Sequence, residues 1–252
     1  MRIISGQFKR KPLLGPPAGS TTRPMPDRIK LAIFNLLRGH SADGAVIDLF
    51  AGTGAMGLEA ASLGSPRVIL VEKDRRVAAV IEKNIASVGA EDLCEVIIGD
   101  ALGPAALTRC PRPVHLVFMD PPYSMVRDPE GWERVRTQAA RLVAMLDDTG
   151  FLVLRTPAPF FHVIDPASGK LSAEESPGVT APEAPVHITL DLEDEDADAV
   201  LDAFEAELAD TPQAERVDPT MAIDGAIGPE SHTYGTTAVH LYMKKPADQV
   251  SF

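Results

Sequence analysis

Along residues 41–157, short apolar runs alternate with longer stretches in which apolar side chains recur every three to four positions. Residues 45–50 (AVIDLF) read as a strand entering a glycine turn, and Ala55 to Leu63 as a helix stopped at Gly64. Residues 67–72 (RVILVE) are the next strand. Asp74 then opens a helix whose Val77, Val80, Ile81, Ile85 and Val88 share one face and whose stop is Gly89. Further strands are predicted at 95–98, 115–119 and 151–154, with a helix around 132–146 between the last two. Upstream, Asp27 is placed to cap a helix with Ile29, Ile33, Leu36 and Leu37 on one face and Gly39 at its end. Strands in alternation with helices predict an α/β fold, doubly wound about a parallel sheet.

Composition leaves that picture standing: 252 residues, 45% hydrophobic and 24% charged, suit one or two globular domains. No apolar run approaches the roughly 20 residues that span a bilayer, and Met1 opens directly onto Arg2, so a soluble cytoplasmic protein is expected. Cys94 and Cys110 form no CxxC pair and the six histidines are scattered, so neither a disulfide framework nor a zinc site is expected.

Charge changes more. A formal net of −12 argues against a nucleic-acid partner while it is treated as one number. Divided along the chain, residues 1–40 hold eight Lys/Arg against Asp27 alone (+7), residues 41–157 hold twelve bases and sixteen acids, and residues 158–252 hold four bases and nineteen acids. The acidity belongs to the C-terminal third. There, 165–185 is rich in Pro, Gly, Ser, Ala and Glu, and 191–198 (DLEDEDAD) is an acid run, which together predict an inserted or mobile acidic segment over about 160–231. Within it, 197–208 has Val200, Leu201, Phe204 and Leu208 at helical spacing. The expected organisation is a basic arm and helix over 1–40, then one domain over 41–252 that carries the acidic insertion.

Four places carry candidate chemistry. Asp48 to Gly57 (DLFAGTGAMG) contains a GxGxxG pattern, which alone fits a nicotinamide or flavin site, an S-adenosylmethionine site or a tight strand-to-helix turn. Asp48, four residues before Gly52, suits a cationic or zwitterionic ligand, such as the amino group of a methionine moiety. Glu72, twenty residues after Gly52 at a strand end, can accept from the hydroxyls of a ribose, or be a solvated strand-end acid. Asp100 follows the third strand, where a side chain could meet an adenine amine, or simply cap a turn. Asp120-Pro121-Pro122-Tyr123 follows the apolar HLVFM strand; two prolines make a rigid turn, and the acid and aromatic frame it where doubly wound sheets place ligands.

Together the D-x-F-x-G-x-G turn, the strand-end acid and DPPY resemble class I S-adenosylmethionine-dependent methyltransferases that act on exocyclic amino groups. The front end, Arg2-Ile-Ile-Ser-Gly6 with Lys9, Arg10 and Lys11, then Arg23-Pro24, Asp27-Arg28 and Phe34-Asn35-Leu36-Leu37, is similar to the bacterial 16S ribosomal RNA guanine-N2 methyltransferase family. The likeness covers roughly residues 1–157 and resumes at 234–243 (YGTTAVHLYM), which resembles the family's closing strand; either 186–190 or 221–227 would precede it. Met25-Pro26 departs from the threonines usual there. The resemblance implies a mostly parallel, seven-stranded Rossmann-like sheet with an antiparallel C-terminal strand. It implies S-adenosylmethionine as cofactor, held by Asp48, Phe50, Gly52, Gly54, Glu72, Asp100 and Asp120, and no metal. Asp120 and the Pro121 carbonyl would accept from the target amine while Tyr123 stacks on the base, and Arg2, Lys9, Arg10, Lys11, Arg23 and Arg28 would meet RNA. A monomer working on the assembled small ribosomal subunit is expected, with the basic arm toward the substrate and the acidic segment away from the DPPY pocket. Rival readings are a DNA adenine-N6 or cytosine-N4 methyltransferase, a protein glutamine methyltransferase, a nicotinamide dehydrogenase resting on GTGAMG alone, and a non-enzymatic RNA-binding module.

Overall fold

A computed structural model describes residues 1–20, 25–164, 171–172 and 216–246. The alternating pattern produces β1 (Val46–Leu49), α2 (Ala55–Ser62), β2 (Val68–Glu72), α3 (Arg75–Val88), β3 (Cys94–Ile98), α4 (Pro104–Arg109), β4 (Val114–Met119), α5 (Tyr123–Arg127), α6 (Pro129–Val143) and β5 (Leu146–Pro157), preceded by α1 (Asp27–Leu36). A hairpin of β9 (Ala226–Tyr234) and β10 (Thr237–Lys244) completes a seven-stranded sheet in the order β3-β2-β1-β4-β5-β10-β9. The first five strands are parallel and β10 runs antiparallel to both neighbours, as the Rossmann-like expectation required. Short strands β6 (His162–Ile164), β7 (Leu171–Ser172) and β8 (Arg216–Val217) form a separate small sheet that periodicity did not reveal.

Strand periodicity divides the core in two. Val46, Val68, Leu70, Leu116, Phe118 and Val153 pack with α1, α2 and α3 on one face, while Ile47, Leu49, Ile69, Val71, Val117, Met119, Leu152 and Leu154 pack with α6 on the other. Strands β1, β2 and β4 are therefore covered on both sides, which is why their apolar runs are nearly unbroken. Among the described residues, no helix is long and apolar enough to cross a membrane.

Several boundaries differ from expectation. Asp27 does not cap α1: Pro26 is the N-cap, and Asp27 lies in the first turn, 3.7 Å from the Arg2 guanidinium, where its charge faces the positive end of the helix. The helix expected around 132–146 starts earlier and stops at Val143, because Asp128 accepts from the Gly131 amide (2.7 Å) and Pro129 takes the first turn; Leu146 already belongs to β5. The closing strand begins at Thr237, since Gly235 (φ +63°) turns the chain and Tyr234 ends β9. The strand before it is 226–234, which 221–227 only touches. Its Gly228-Pro229 disguises it as a loop and is tolerated because β9 is an edge. The alternative at 186–190, the helix at 197–208 and most of the acidic segment lie outside the described residues.

The first residues fold against the core. Arg2 bridges Pro12, the Ile3 amide donates to the Lys11 carbonyl (3.0 Å), and Ile3, Phe8 and Leu13 are buried. Met25, at the departure from the family pattern, is buried in the same cluster. A buried ion pair anchors this hairpin: Lys30 Nζ lies 2.9 Å from Glu59 Oε2, each side chain no more than 2% exposed. Lys30 also donates to the Arg2 carbonyl (2.7 Å), and the Glu59 carboxylate accepts from the Ile4 and Ser5 amides. Lys30, one of the eight basic residues counted in the arm, thus contributes no surface charge.

Candidate active site

At the carboxyl end of β1 the chain turns through Phe50 and Gly52, both at positive φ (+62° and +56°), into Gly54 (φ +83°), which caps α2. A non-glycine residue held there is a place where backbone strain and function commonly coincide. The three glycines of the pattern all direct their amides to partners inside the protein. Gly52 N donates to Glu72 Oε2 (2.9 Å), Gly54 N to the Ala51 carbonyl (2.8 Å) and Gly57 N to Asp48 Oδ2 (2.9 Å). Gly57 is needed for packing as well, because a Cβ there would come within 2.8 Å of the Leu70 side chain. A pyrophosphate cradle uses outward-facing amides at such a turn, and the three glycine amides of this one are committed inside the protein.

The carboxylates around the turn set its charge. Asp48 is buried in β1, and burial is the main cause that pushes its pKa up to about 7. The Gly57 amide opposes that rise, while the charges of Asp120 and Glu72 add to it. Glu72, at the end of β2, clasps two loops, since its second oxygen accepts from the Asp74 amide (2.8 Å). Asp100, after β3, accepts from the Leu102 amide (3.0 Å) and lies 3.6 Å from Arg134. Ordinary turn chemistry accounts for those bonds.

Asp120 directly follows β4 and is half-buried. Its carboxyl is pushed above the usual range by burial, against the opposing pull of Arg155, whose Nε lies 2.5 Å from Asp120 Oδ1. Pro121 is buried. The Pro122 carbonyl accepts from Met125 N (2.9 Å), so Tyr123 opens α5 rather than lying in a loop. The Tyr123 hydroxyl meets Thr237 Oγ1 (2.8 Å) at the start of β10, and the Arg155 guanidinium carbon stands 5.6 Å from its ring centre.

Arg155 and Thr237 are missing from the sequence-based site. Arg155 had a usable signal, a lone base in the apolar run FLVLRTP of a strand neighbouring DPPY. Thr237 had none, because only the β10–β5 pairing brings it near.

The family model described as "Conserved hypothetical protein 95" matches residues 1–159. The chain belongs to that family. The matched span includes the arm, the glycine turn, DPPY and Arg155, and ends before the acidic segment. Ribosomal RNA small subunit methyltransferase D of Escherichia coli (strain K12) is 32% identical over 152 residues, 60% of this chain and 69% of that protein. The Haemophilus influenzae protein of the same name is 32% identical over 125 residues, 49% of this chain and 64% of its own. Among solved structures, yhhF of Escherichia coli superposes with a TM-score of 0.59 at 22% identity, covering 97% of this chain and 98% of that one. A hypothetical protein of Thermus thermophilus gives a TM-score of 0.59 at 21% identity, covering 97% and 99%. At these identities the likeness is one of fold.

Within the family-matched arm, Lys9, Arg10 and Arg28 are exposed or partly so, and Arg2 is exposed beside Asp27. Lys11 is exposed but its ammonium donates to the Val88 carbonyl (2.7 Å) at the end of α3, which fixes it as a helix cap. Arg23 lies outside the described residues. The arm touches the glycine turn directly: Asn84, which donates to the Thr53 carbonyl (2.9 Å), also accepts from Leu14 N (2.7 Å), and Thr53 Oγ1 reaches the Met1 sulfur (3.6 Å).

Proposed function

We propose that the chain is an S-adenosylmethionine-dependent N-methyltransferase that modifies the exocyclic N2 of a guanine in small-subunit (16S) ribosomal RNA, with the assembled subunit as its partner in the cytoplasm. The observation that carries the cofactor assignment is the glycine turn with its three glycine amides internally bonded and the carboxylates of Asp48, Glu72 and Asp120 around it. Such a place repels a pyrophosphate and attracts a cation, which disfavours the dehydrogenase reading. The family relatives named for ribosomal RNA methylation support the substrate class.

When bound, S-adenosylmethionine supplies a methyl group made electrophilic by its sulfonium. Asp48, Phe50, Gly52, Gly54, Glu72 and Asp100 would hold it across the strand ends. The guanine N2 lone pair is delocalised into the ring, so the amine needs orientation more than a strong base. Asp120, held by Arg155, and the Pro121 carbonyl accept from its two hydrogens and turn the lone pair toward the methyl carbon. Tyr123 offers a stacking face to a base that has left its helix. Arg2, Lys9, Arg10 and Arg28 supply phosphate contacts from an arm that abuts the cofactor turn.

The test is tritiated S-adenosylmethionine offered with unmodified small subunits, naked 16S ribosomal RNA, DNA and protein, followed by nucleoside analysis. Label in N2-methylguanosine from the subunit is the expected outcome. Label confined to protein or DNA overturns the substrate, and tight NADH binding without S-adenosylmethionine binding overturns the reaction class.

A further inference from the structure

At the opposite end of the sheet, where β1, β4 and β5 begin, two histidines 75 residues apart in sequence come face to face. The α1–β1 connection folds into a turn closed by Asp43 N donating to the His40 carbonyl (3.3 Å), which sets the two side chains on one side. His115, the second residue of β4, stacks under His40 with ring centres 5.5 Å apart. The Asp43 Oδ2 oxygen lies 3.9 Å from both His40 Nδ1 and His115 Nε2, and the three atoms are all within 4.8 Å of one another.

Both of those imidazole nitrogens are buried and have no hydrogen-bond partner among the described residues. The His115 side chain is 1% exposed, and a core histidine ordinarily avoids leaving a nitrogen such as its Nε2 bare. Its other nitrogen, Nδ1, is fixed by Asp147 Oδ2 at 2.8 Å, which turns Nε2 toward Asp43 and sets the carboxylate–histidine arrangement that orients metal-binding imidazoles. The backbone closes tightly around this pair. A Cβ on Gly44 would come within 2.7 Å of the His115 Cβ, and one on Gly150 within 2.5 Å of the His115 carbonyl oxygen.

We propose that His40, Asp43 and His115 form a binding site for a divalent transition-metal ion of the zinc class, with Asp147 as the positioning residue behind His115. Two imidazoles and one carboxylate are a donor set suited to such ions and not to magnesium or calcium. Around a tetrahedral ion with bonds of about 2.0–2.1 Å, ligand atoms stand roughly 3.4 Å apart. His40 and Asp43, both partly exposed, have to close by only a fraction of that distance, and solvent would complete the coordination. The ion would clip the α1–β1 connection to the sheet. It would stand five residues from Asp120 along β4, about 16 Å, so its role is structural and separate from the proposed methyl transfer.

Tag-free full-length protein is titrated with Zn²⁺, and with Mg²⁺ as control, by calorimetry and thermal melting, alongside His40→Ala and Asp43→Asn. Asp43→Asn, on the exposed side, should leave the metal-free melting temperature unchanged, whereas His40→Ala also loses ring packing on His115 and Phe151 and is read against its own metal-free melt. One Zn²⁺ per chain is expected, weakened at least tenfold in each variant, with a rise of about 5 °C in the wild-type melting temperature at a hundredfold excess over Kd. Absence of stoichiometric uptake beyond that of Mg²⁺, or equal Zn²⁺ affinity in the variants, overturns the site.

Discussion

The glycine turn after β1 and the DPPY segment after β4 stand side by side, yet they are held in different ways. In the turn, Gly54 and Gly57 are satisfied within the same strand–turn–helix unit, and the Gly52 amide is held by Glu72 of the adjacent strand. In DPPY, both polar side chains depend on strands later in the chain: Asp120 on Arg155 of the neighbouring β5, and Tyr123 on Thr237 of β10, one strand further on. The first region is a rigid cradle. The second is an edge whose side chains are anchored from β5 and, through the Tyr123 hydroxyl, from the antiparallel β10. Substitutions in the cradle should therefore act on cofactor affinity, and substitutions in the edge on turnover.

Asp120→Ala tests that division most severely. Methyl transfer should fall by roughly a thousandfold or more while S-adenosylmethionine affinity stays within a few-fold, measured by single-turnover kinetics and calorimetry. Unchanged turnover would remove Asp120 from the mechanism. Glu72→Ala should show the reverse emphasis. Two loop amides lose their acceptor, and cofactor affinity should drop roughly ten- to hundredfold with a smaller effect on the rate at saturation.

That contrast also explains what could be read in advance. The parallel strands, the three helices around the turn and the places of Asp48, Glu72 and Asp120 follow from periodicity and from local strand-end positions. Arg155 and Thr237 owe their roles to pairings across many residues, and the Lys30–Glu59 pair looked like surface charge because burial is not written in residue type. The β9 strand was obscured because its register comes from β10 rather than from alternation of its own.

Arg155→Ala should lower turnover about ten- to thirtyfold, and its pH profile should separate orientation from mere folding. Burial already raises the Asp120 pKa and Arg155 opposes that rise. Without the guanidinium the pKa climbs further, so the acid limb of the kcat/KM profile should move to higher pH. An unmoved limb with a lower plateau would mean that Arg155 serves packing alone.

A smaller effect is expected from Asp48→Asn, and it has two signs. The folded pKa of about 7 lies above the usual 3.8, so the native state holds a proton that the unfolded chain releases, and stability is lost as pH rises from about 4 to about 7. Asparagine still accepts from Gly57 N and carries no charge. The variant should melt several degrees higher than wild type at pH 8 and match it near pH 4. Its affinity for S-adenosylmethionine should be several-fold weaker at pH 8. It should also lose the wild-type gain in affinity on passing upward through about pH 7.

Tyr123→Phe probes the edge most gently. The hydroxyl bond to Thr237 links α5 to β10, and its loss should cost about 1 kcal/mol, or a melting shift of about 2–4 °C. The ring that would stack on the base remains, so the KM for RNA should hardly move. Tyr123→Ala removes the ring as well and should raise that KM by a factor that corresponds to about 1–3 kcal/mol of stacking. If the two variants weaken RNA equally, the hydroxyl link to β10 and not the aromatic face is what Tyr123 contributes, and the edge would be defined by its anchoring alone.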